Sequence, residues 1–328
     1  MTTSASPTPG IDSSDAPLVA VTGAGGFLGR HIVGMLSQSG FAVRRLSHQP
    51  ASDGSVALPS PEASEESFRA AVRGAAFVVH CAAMNNDTRN PDPALLEASN
   101  VELSAKLARA AAAEGVRRFI FLSSTRAVAG PADSLVIDEM TEPKPRCAYG
   151  CSKRAAEIAV LGSTGPGHGF SPIVLRLPPA YGYGMRGNLA LLMRLARSGW
   201  PLPIGGIRGK RSLVSARSVG SAVAVLLGAD KLAKDTYVAA DDRPASPAEI
   251  VRAFRRGFGL EPRLFPIPDF VLRLAAASLG KSETLHNLAV SQLCDSKALV
   301  AEGWTPAPDS FAGLEALAAE IRASESRG

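Results

Sequence analysis

The sequence predicts an α/β fold, a doubly wound parallel sheet followed by a smaller C-terminal lobe, on three observations. Short apolar runs alternate with amphipathic stretches from Pro17 to about Pro178, a glycine cluster sits where the first run meets the first amphipathic stretch, and the texture changes to Pro- and Gly-punctuated sequence after that point. The elements follow in order: the strand LVAVTG, a helix from about Phe27, the strand FAVRRL, a helix around Phe68, and the strand FVVHCA. A long Ala-rich helix from about Leu95, the strand RFIFLSS, a helix beginning near Tyr149 and the strand PIVLRL complete the run. Strand, helix, strand in repetition means parallel pairing through right-handed crossovers.

Beyond Pro178 come PPAYGYGMRGN and GWPLPIGGIRGKR, then a helix from about Ser218 and the strand-like TYVAA. The division expected is a floppy tail over 1–16, a sheet domain over 17–180 and mainly a second lobe over 181–328. Whether the strand near 236–240 returns to the sheet is left open. The first sixteen residues are polar and rich in Ser, Thr and Pro, without the basic start or apolar run of a signal peptide.

Composition narrows the function classes. A hydrophobic fraction of 46% and a charged fraction of 20% belong to a globular chain. Lys and Arg exceed Asp and Glu by 35 to 30 and are scattered, which argues against nucleic acid as a partner. No apolar stretch reaches the roughly 18 residues of a membrane span. Cys81, Cys147, Cys151 and Cys294 have neither CxxC spacing nor disulfide-scaffold density, and read as reduced thiols in a cytoplasmic protein with no metal site.

Gly23, Gly26 and Gly29 lie in VAVTGAGGFLG, after a strand and opening a helix at the head of a βαβ unit. Glycine there permits the tight turn and lets the backbone and the helix N-terminus approach a pyrophosphate, so the fold reads as Rossmann-type and the ligand as a dinucleotide. An acid at the end of the second strand would bind the adenosine ribose of NAD and repel the extra phosphate of NADP. That end reads Val43-Arg44-Arg45-Leu46-Ser47-His48, with no acid between Asp15 and Asp53. Ser47, with His48 beside it and two arginines close by, favours NADP over NAD.

Tyr149 and Lys153 are four apart and share one helix face. A phenol of ordinary pKa near 10 is a poor acid or base at neutral pH, and a neighbouring ammonium lowers that pKa. Upstream, RFIFL ends in Ser123-Ser124-Thr125, which places hydroxyls at the carboxyl edge of the sheet, and Asn100 opens the long helix before that strand.

With TGAGGFLG, VVHCAA, Asn100-Val101, FLSST, YGCSK and LRLPPAYGYG in this order, the chain from Val19 onward resembles the extended short-chain dehydrogenase/reductases of the nucleotide-sugar epimerase/dehydratase group. The resemblance implies Tyr149 as acid/base, Lys153 lowering its pKa and holding the nicotinamide ribose, and Thr125 bonding the reacting sugar oxygen. Thr125 is preferred to Ser124 by counting back from Val128 and Gly130. Further cofactor contacts implied are Phe27, Leu28, Ala82, Ala83, Asn100, Ser123 and Pro178.

The stretch MRGNLALLMRLARSGWPLPIGGIRGKRSLV, with FPIPDFVLRLAAASLGK and Gly303-Trp304-Thr305-Pro306, is similar to the branch of 4-epimerases and 4-ketoreductases acting on UDP-N-acetylated 6-deoxy sugars. This implies a substrate-binding lobe with contacts from Asn188 and Arg211, the latter a guanidinium suited to a diphosphate. The chain departs from the family pattern at Ala129, where an aromatic is usual, at Ser218, where an acid is common, and in LPSPEAS, which lacks an acid typical there.

The expectation is an NAD(P)-dependent enzyme acting at C4 of a nucleotide-activated sugar, foremost a UDP-4-keto-6-deoxy-hexosamine 4-ketoreductase. The alternative is a UDP-sugar 4-epimerase with tightly bound NAD. A non-catalytic NAD(P)-sensing regulator is the reading from another class, which the presence of Tyr149, Lys153 and Thr125 disfavours. A homodimer, pairing the Ala-rich helix and the Tyr149 helix with their copies, is implied by the resemblance.

Overall fold

The structure, a computed structural model, describes residues 16–48, 54–84, 92–163, 169–278, 280 and 282–326. The tail expected over 1–16 lies outside them except for Ala16. The first half runs β1 (Leu18–Thr22), α1 (Phe27–Gln38), β2 (Ala42–Ser47), β3 (Val56–Ala57), α2 (Glu65–Val72) and β4 (Phe77–His80). There follow α3 (Pro93–Leu96), a π turn over Glu97–Glu102, α4 (Leu103–Ala113), β5 (Arg118–Ser124), a 3-10 turn over Thr125–Ala127, β6 (Leu135–Ile137), α5 (Ala148–Leu161) and β7 (Ser171–Leu177).

The remainder comprises β8 (Ala180–Tyr181), α6 (Gly187–Arg197), β9 (Val214–Ser215), α7 (Ala216–Gly228), β10 (Thr236–Val238) and α8 (Pro247–Gly257). After these come α9 (Asp269–Ser278), α10 (Ser282–Ala289), β11 (Gln292–Cys294), α11 (Lys297–Ala301) and α12 (Ser310–Glu325).

Seven strands form one sheet in the order β10-β7-β5-β4-β1-β2-β3, with parallel pairing throughout. The two-residue strand β3 at its edge was not singled out as a strand from the sequence. Because successive strand side chains point to opposite faces, Val19 and Val21 enter one core with Ile32 and Leu36 of α1. Ala20 enters the other, with Phe68 of α2 and Leu107 of α4. Ile120 and Leu122 alternate with Phe119 and Phe121 in the same way. Continuous burial on both faces explains why these strands read as unbroken apolar runs.

Three later segments return to this sheet. Thr236–Val238 pairs with β7 as an edge strand, Val219, Val223 and Leu226 of α7 pack into the α1 core, and Leu299 and Trp304 join the same core. A separate core is built from α6, α8 and α12, where Leu189, Ile250, Phe254, Leu314 and Leu317 meet. There α8 starts with a reciprocal Ser246–Glu249 cap, and Gly257 lets α12 come so close that a Cβ would stand 2.1 Å from the Glu315 carbonyl oxygen. Two short parallel pairs, β6 with β11 and β8 with β9, join the sheet domain to this second core.

Candidate active site

The strand order reverses between β1 and β4, the place in an open parallel sheet where a ligand binds. Gly23 there has φ +64°, and a Cβ on it would meet the Ala82 nitrogen at 2.8 Å. A Cβ on Gly29 would stand 2.1 Å from the Gly23 carbonyl oxygen, so α1 enters directly beneath the turn. Gly26 caps α1 without a side-chain bond, and no acid stands in the first helical turn. The first N–H groups are left for an anion, and the residues present fit a dinucleotide pyrophosphate at this point.

Ser47 ends β2 half-buried, with His48 exposed after it. The Arg44 guanidinium, however, donates from Nη1 to the Ala71 and Arg73 carbonyls at 3.1 and 2.7 Å, tying it to the end of α2. Of the two arginines that favoured NADP, this one satisfies a helix C-terminus.

Tyr149 sits half-buried in the first turn of α5, whose start is capped by Cys147 Sγ accepting from the Gly150 N–H at 3.3 Å. Gly150 has a specific reason: a Cβ would be 2.3 Å from the Arg126 carbonyl oxygen, so the helix bearing Tyr149 rests directly on the 3-10 turn after β5. One turn later Lys153 is 2% exposed and donates from Nζ to the Leu122 carbonyl at 2.6 Å, with its ammonium 4.0 Å over the Phe121 ring. Burial pulls its pKa down to about 7, against the opposing pull of Glu157 and Cys81.

A cavity of about 210 Å³ opens beside Tyr149, lined also by Phe27, Leu28, Ser123, Ser124 and Pro178. Thr125 is buried one residue further on, its carbonyl accepting from the Val128 and Ala129 N–H groups. Ser124 is the hydroxyl residue of that pair lining the cavity, while its Oγ accepts from the Arg126 N–H at 3.2 Å. The Ser123 hydroxyl donates to Glu157 Oε1 at 2.6 Å, which turns that oxygen toward α5.

A second cavity of about 230 Å³ holds both predicted substrate contacts, Asn188 and Arg211. Its walls include Leu189, Leu192, Leu213 and Ile250, and it contains a residue the sequence reading missed, Arg126. Arg211 donates to the Pro131 and Asn287 carbonyls. Arg126 Nη1 is buried without a hydrogen-bond partner. Burial, with Arg126 adding to it, lowers the Arg211 pKa to about 10, and both guanidiniums line one mostly apolar space. The two cavities are lined from the same stretches of chain, Ser124 and Pro178 on the first, Arg126 and Pro179 on the second. A residue directly after a strand-end Ser-Ser-Thr was the available signal for Arg126.

Asn100 lies inside the π turn rather than at a helix start, since α3 precedes it; such turns insert one residue and re-aim a side chain. Its Nδ2 donates to Ser152 Oγ at 3.0 Å on α5, and its Oδ1 accepts from the Met84 N–H at 2.8 Å. Beneath it is a buried relay that the sequence did not announce. Thr22 Oγ1 accepts from the Cys81 and Ala82 N–H groups, so its own proton goes to His80 Nδ1 at 2.6 Å. The neutral ring then donates from Nε2 to Ser104 Oγ at 2.8 Å, and Ser104 donates to the Asn100 carbonyl. Burial, with Lys153 and His48 adding to it, lowers the His80 pKa to about 3. Ala82 thus holds its place through its backbone, and Ala83 is exposed beside it. Glu157, fully buried, accepts bidentately from Arg176 and again from Arg154 and Ser123, locking α5 to β5 and β7. Among the described residues no group of His, Cys, Asp and Glu could hold a metal ion.

A glycine turn at the head of a parallel sheet, with a Tyr–Lys pair on the helix beside its carboxyl edge, defines a Rossmann-fold oxidoreductase of the extended short-chain type. The sequence model of the NAD dependent epimerase/dehydratase family matches residues 19–240, and the chain belongs to that family. It is similar to a UDP-glucose 4-epimerase of Vibrio cholerae, at 29% identity over 88% of this chain and 90% of the relative. It is also similar to a ceramide reductase of Caulobacter vibrioides, at 28% identity over 88% and 86%. The UDP-N-acetylglucosamine 4-epimerase structure from Bacillus cereus shares the fold with a TM-score of 0.74, at 20% identity over 94% of this chain and 99% of that one. No described helix is long and apolar enough to cross a membrane.

Proposed function

We propose that the protein is an NADP-dependent 4-ketoreductase of a UDP-linked 4-keto-6-deoxy-hexosamine. The observation that carries this reading is the pair of cavities lined from the same stretches of chain, one beside Tyr149 and the start of α1 and the other holding Arg126 and Arg211. Two guanidiniums in an apolar space suit a diphosphate, since bidentate charge-assisted bonds are strong where water is excluded. A sugar attached to that diphosphate would extend past Ser124 toward the Tyr149 phenol.

The nicotinamide ring, when bound, supplies reversible hydride exchange with the sugar carbon. Gly23, Gly26 and the N-terminus of α1 would hold its pyrophosphate, and Lys153 its ribose. Tyr149 gives or takes the hydroxyl proton, with Lys153 favouring its charged form. Thr125 and Ser124 supply hydroxyls for the sugar oxygen, and Asn100 fixes α5 through Ser152. Pro178 and Phe27, which line the cavity beside Tyr149, would keep water from the ring.

A second reading, a UDP-sugar 4-epimerase with tightly bound NAD, is favoured by the position of Arg44, which removes one of the two positive charges offered to a ribose phosphate. The nucleotide content of the purified protein separates the two, followed by titration of apo protein with NADPH and NADH and turnover on a UDP-4-keto-6-deoxy sugar. Exchangeable, tighter NADPH that is oxidised on adding the keto sugar supports the reductase. Retained, non-exchanging NAD supports the epimerase, and no binding of either cofactor defeats both. We also propose a cytoplasmic homodimer that pairs α4 and α5 with their copies, consistent with Ile158 exposed on α5 and with four free thiols. Sedimentation of the purified chain as a monomer would exclude the dimer.

A further inference from the structure

The second lobe carries an unusual surface. Between Glu157 and Asp230 the sequence has no Asp or Glu but eight Lys and Arg, of which Arg176 is buried in β7 and Arg211 lines the second cavity. Within this span Trp200 is 74% exposed, following Leu191 and Leu195, both exposed four residues apart on α6. Arg194 flanks those two leucines on the same helix and is exposed. The segment after Trp200 runs beside Arg263–Phe265, held by the Leu202 N–H to the Arg263 carbonyl, the Phe265 N–H to the Leu202 carbonyl and the Gly205 N–H to the Phe265 carbonyl. Phe265 and Arg263 are therefore neighbours of the Trp200 segment, and both are exposed. Four residues on, α9 turns Phe270 and Leu274, each 71% exposed and one helical turn apart, to solvent.

Isolated exposed apolar residues need no explanation, but a Trp, two Phe and three Leu from adjoining segments do. Their setting selects the partner. Exposed Arg194, Arg208 and Arg263 stand among them. The acids of this rim are Asp269, which begins α9, with Glu261 and Glu325 beside it, and Glu325 is already paired with Arg197 at 2.6 Å. Aromatic side chains interleaved with basic ones, five arginines against one acid within α6, residues 198–208, residues 263–265 and α9, match the headgroup region of an anionic bilayer, where amphipathic rings sit at the boundary and guanidiniums meet lipid phosphates.

We propose that this face, formed by α6, residues 198–208, residues 263–265 and α9, docks on an anionic lipid bilayer as a peripheral surface. Leu191 belongs both to this face and to the wall of the cavity holding Arg126 and Arg211, so docking turns the mouth of that cavity toward the membrane. The proposal does not depend on the identity of the sugar or the cofactor.

The chain has two tryptophans, and Trp304 is 1% exposed, so a change in emission on docking reports Trp200. The experiment is co-sedimentation of the full chain with vesicles of phosphatidylglycerol in phosphatidylcholine, with tryptophan emission followed in parallel. The expected result is binding that requires phosphatidylglycerol, weakens in high salt, shifts the emission to the blue and is quenched by brominated acyl chains. Arg194→Glu should weaken partitioning by at least about fivefold, the contribution of one interfacial basic residue. Phe270→Asp with Leu274→Asp should abolish the blue shift, while thermal melting of each variant matches the parent. Binding unchanged in these variants, or no binding to anionic vesicles, overturns the proposal. So does emission already blue-shifted without vesicles in a concentration-dependent dimer, which would make this face a contact between copies. Because cofactor content and turnover are measured without lipid, failure here leaves the enzymatic reading standing, and the reverse also holds.

Discussion

Arg126 and Arg211 show how much depends on single side chains that no motif marks as a pair. Arg126 carries a buried Nη1 without a partner, whereas Arg211 Nη2 donates to two backbone carbonyls, so the first is the guanidinium with a donor to spare for the proposed diphosphate. Arg126→Ala is expected to weaken UDP binding roughly 10- to 100-fold, the range of a lost charged hydrogen bond, and calorimetry with UDP alone checks it. At the proposed acid/base, Tyr149→Phe should lower turnover roughly 100- to 10,000-fold while cofactor affinity and melting temperature stay near the parent values. His80 gives a pH prediction. Its folded-state pKa is near 3 against 6.5 as the ordinary value, so between those values the unfolded chain binds more protons than the folded one. Its contribution is therefore complete above pH 6.5 and is lost as pH falls toward 3. The loss is on the order of 4 kcal/mol, and urea denaturation of the parent and of His80→Gln across this window should show the difference in slope.

At the scale of elements, close approach decides the site more than propensity does. The helix bearing Tyr149 can lie on the turn bearing Arg126 only because Gly150 has no Cβ. Gly150→Ala is expected to push α5 off that turn, at about 1–3 kcal/mol from overpacking, and to reduce turnover more than it reduces cofactor binding. A melting curve, a cofactor titration and a rate on the same sample test this. The alternating strands were legible because burial on both faces leaves continuous apolar runs, and α1, α5 and α7 begin within two residues of where periodicity placed them. The two-residue strand β3 was not legible, since two exposed residues carry no periodicity. The π turn at Asn100 was equally hidden, and the Ser152 hydroxyl that Asn100 meets there lies 52 residues away in the chain.

In the whole molecule, the chain leaves the sheet after β7, builds the second core and returns through α7, β10 and Trp304. Trp304 is the largest fully buried side chain, and its Nε1 donates to Ser221 Oγ at 3.0 Å. Trp304→Ala should cost about 3–5 kcal/mol in a denaturation experiment and loosen the C-terminal segment from α7. The parallel sheet, the glycine turn and the Tyr149–Lys153 pair are legible in the amino-acid order, because each is written in residues near one another, as a period, a required absence of Cβ or a helical spacing of four. Folding in three dimensions is what brings Asn188, Arg211 and Arg126 to one cavity, gives Ser123 to Glu157, sets Arg44 on a helix end, and leaves Trp200 and Phe270 bare. Those outcomes depend on which distant segments meet, and a side chain's partner or exposure is set by that meeting rather than by its neighbours in the chain.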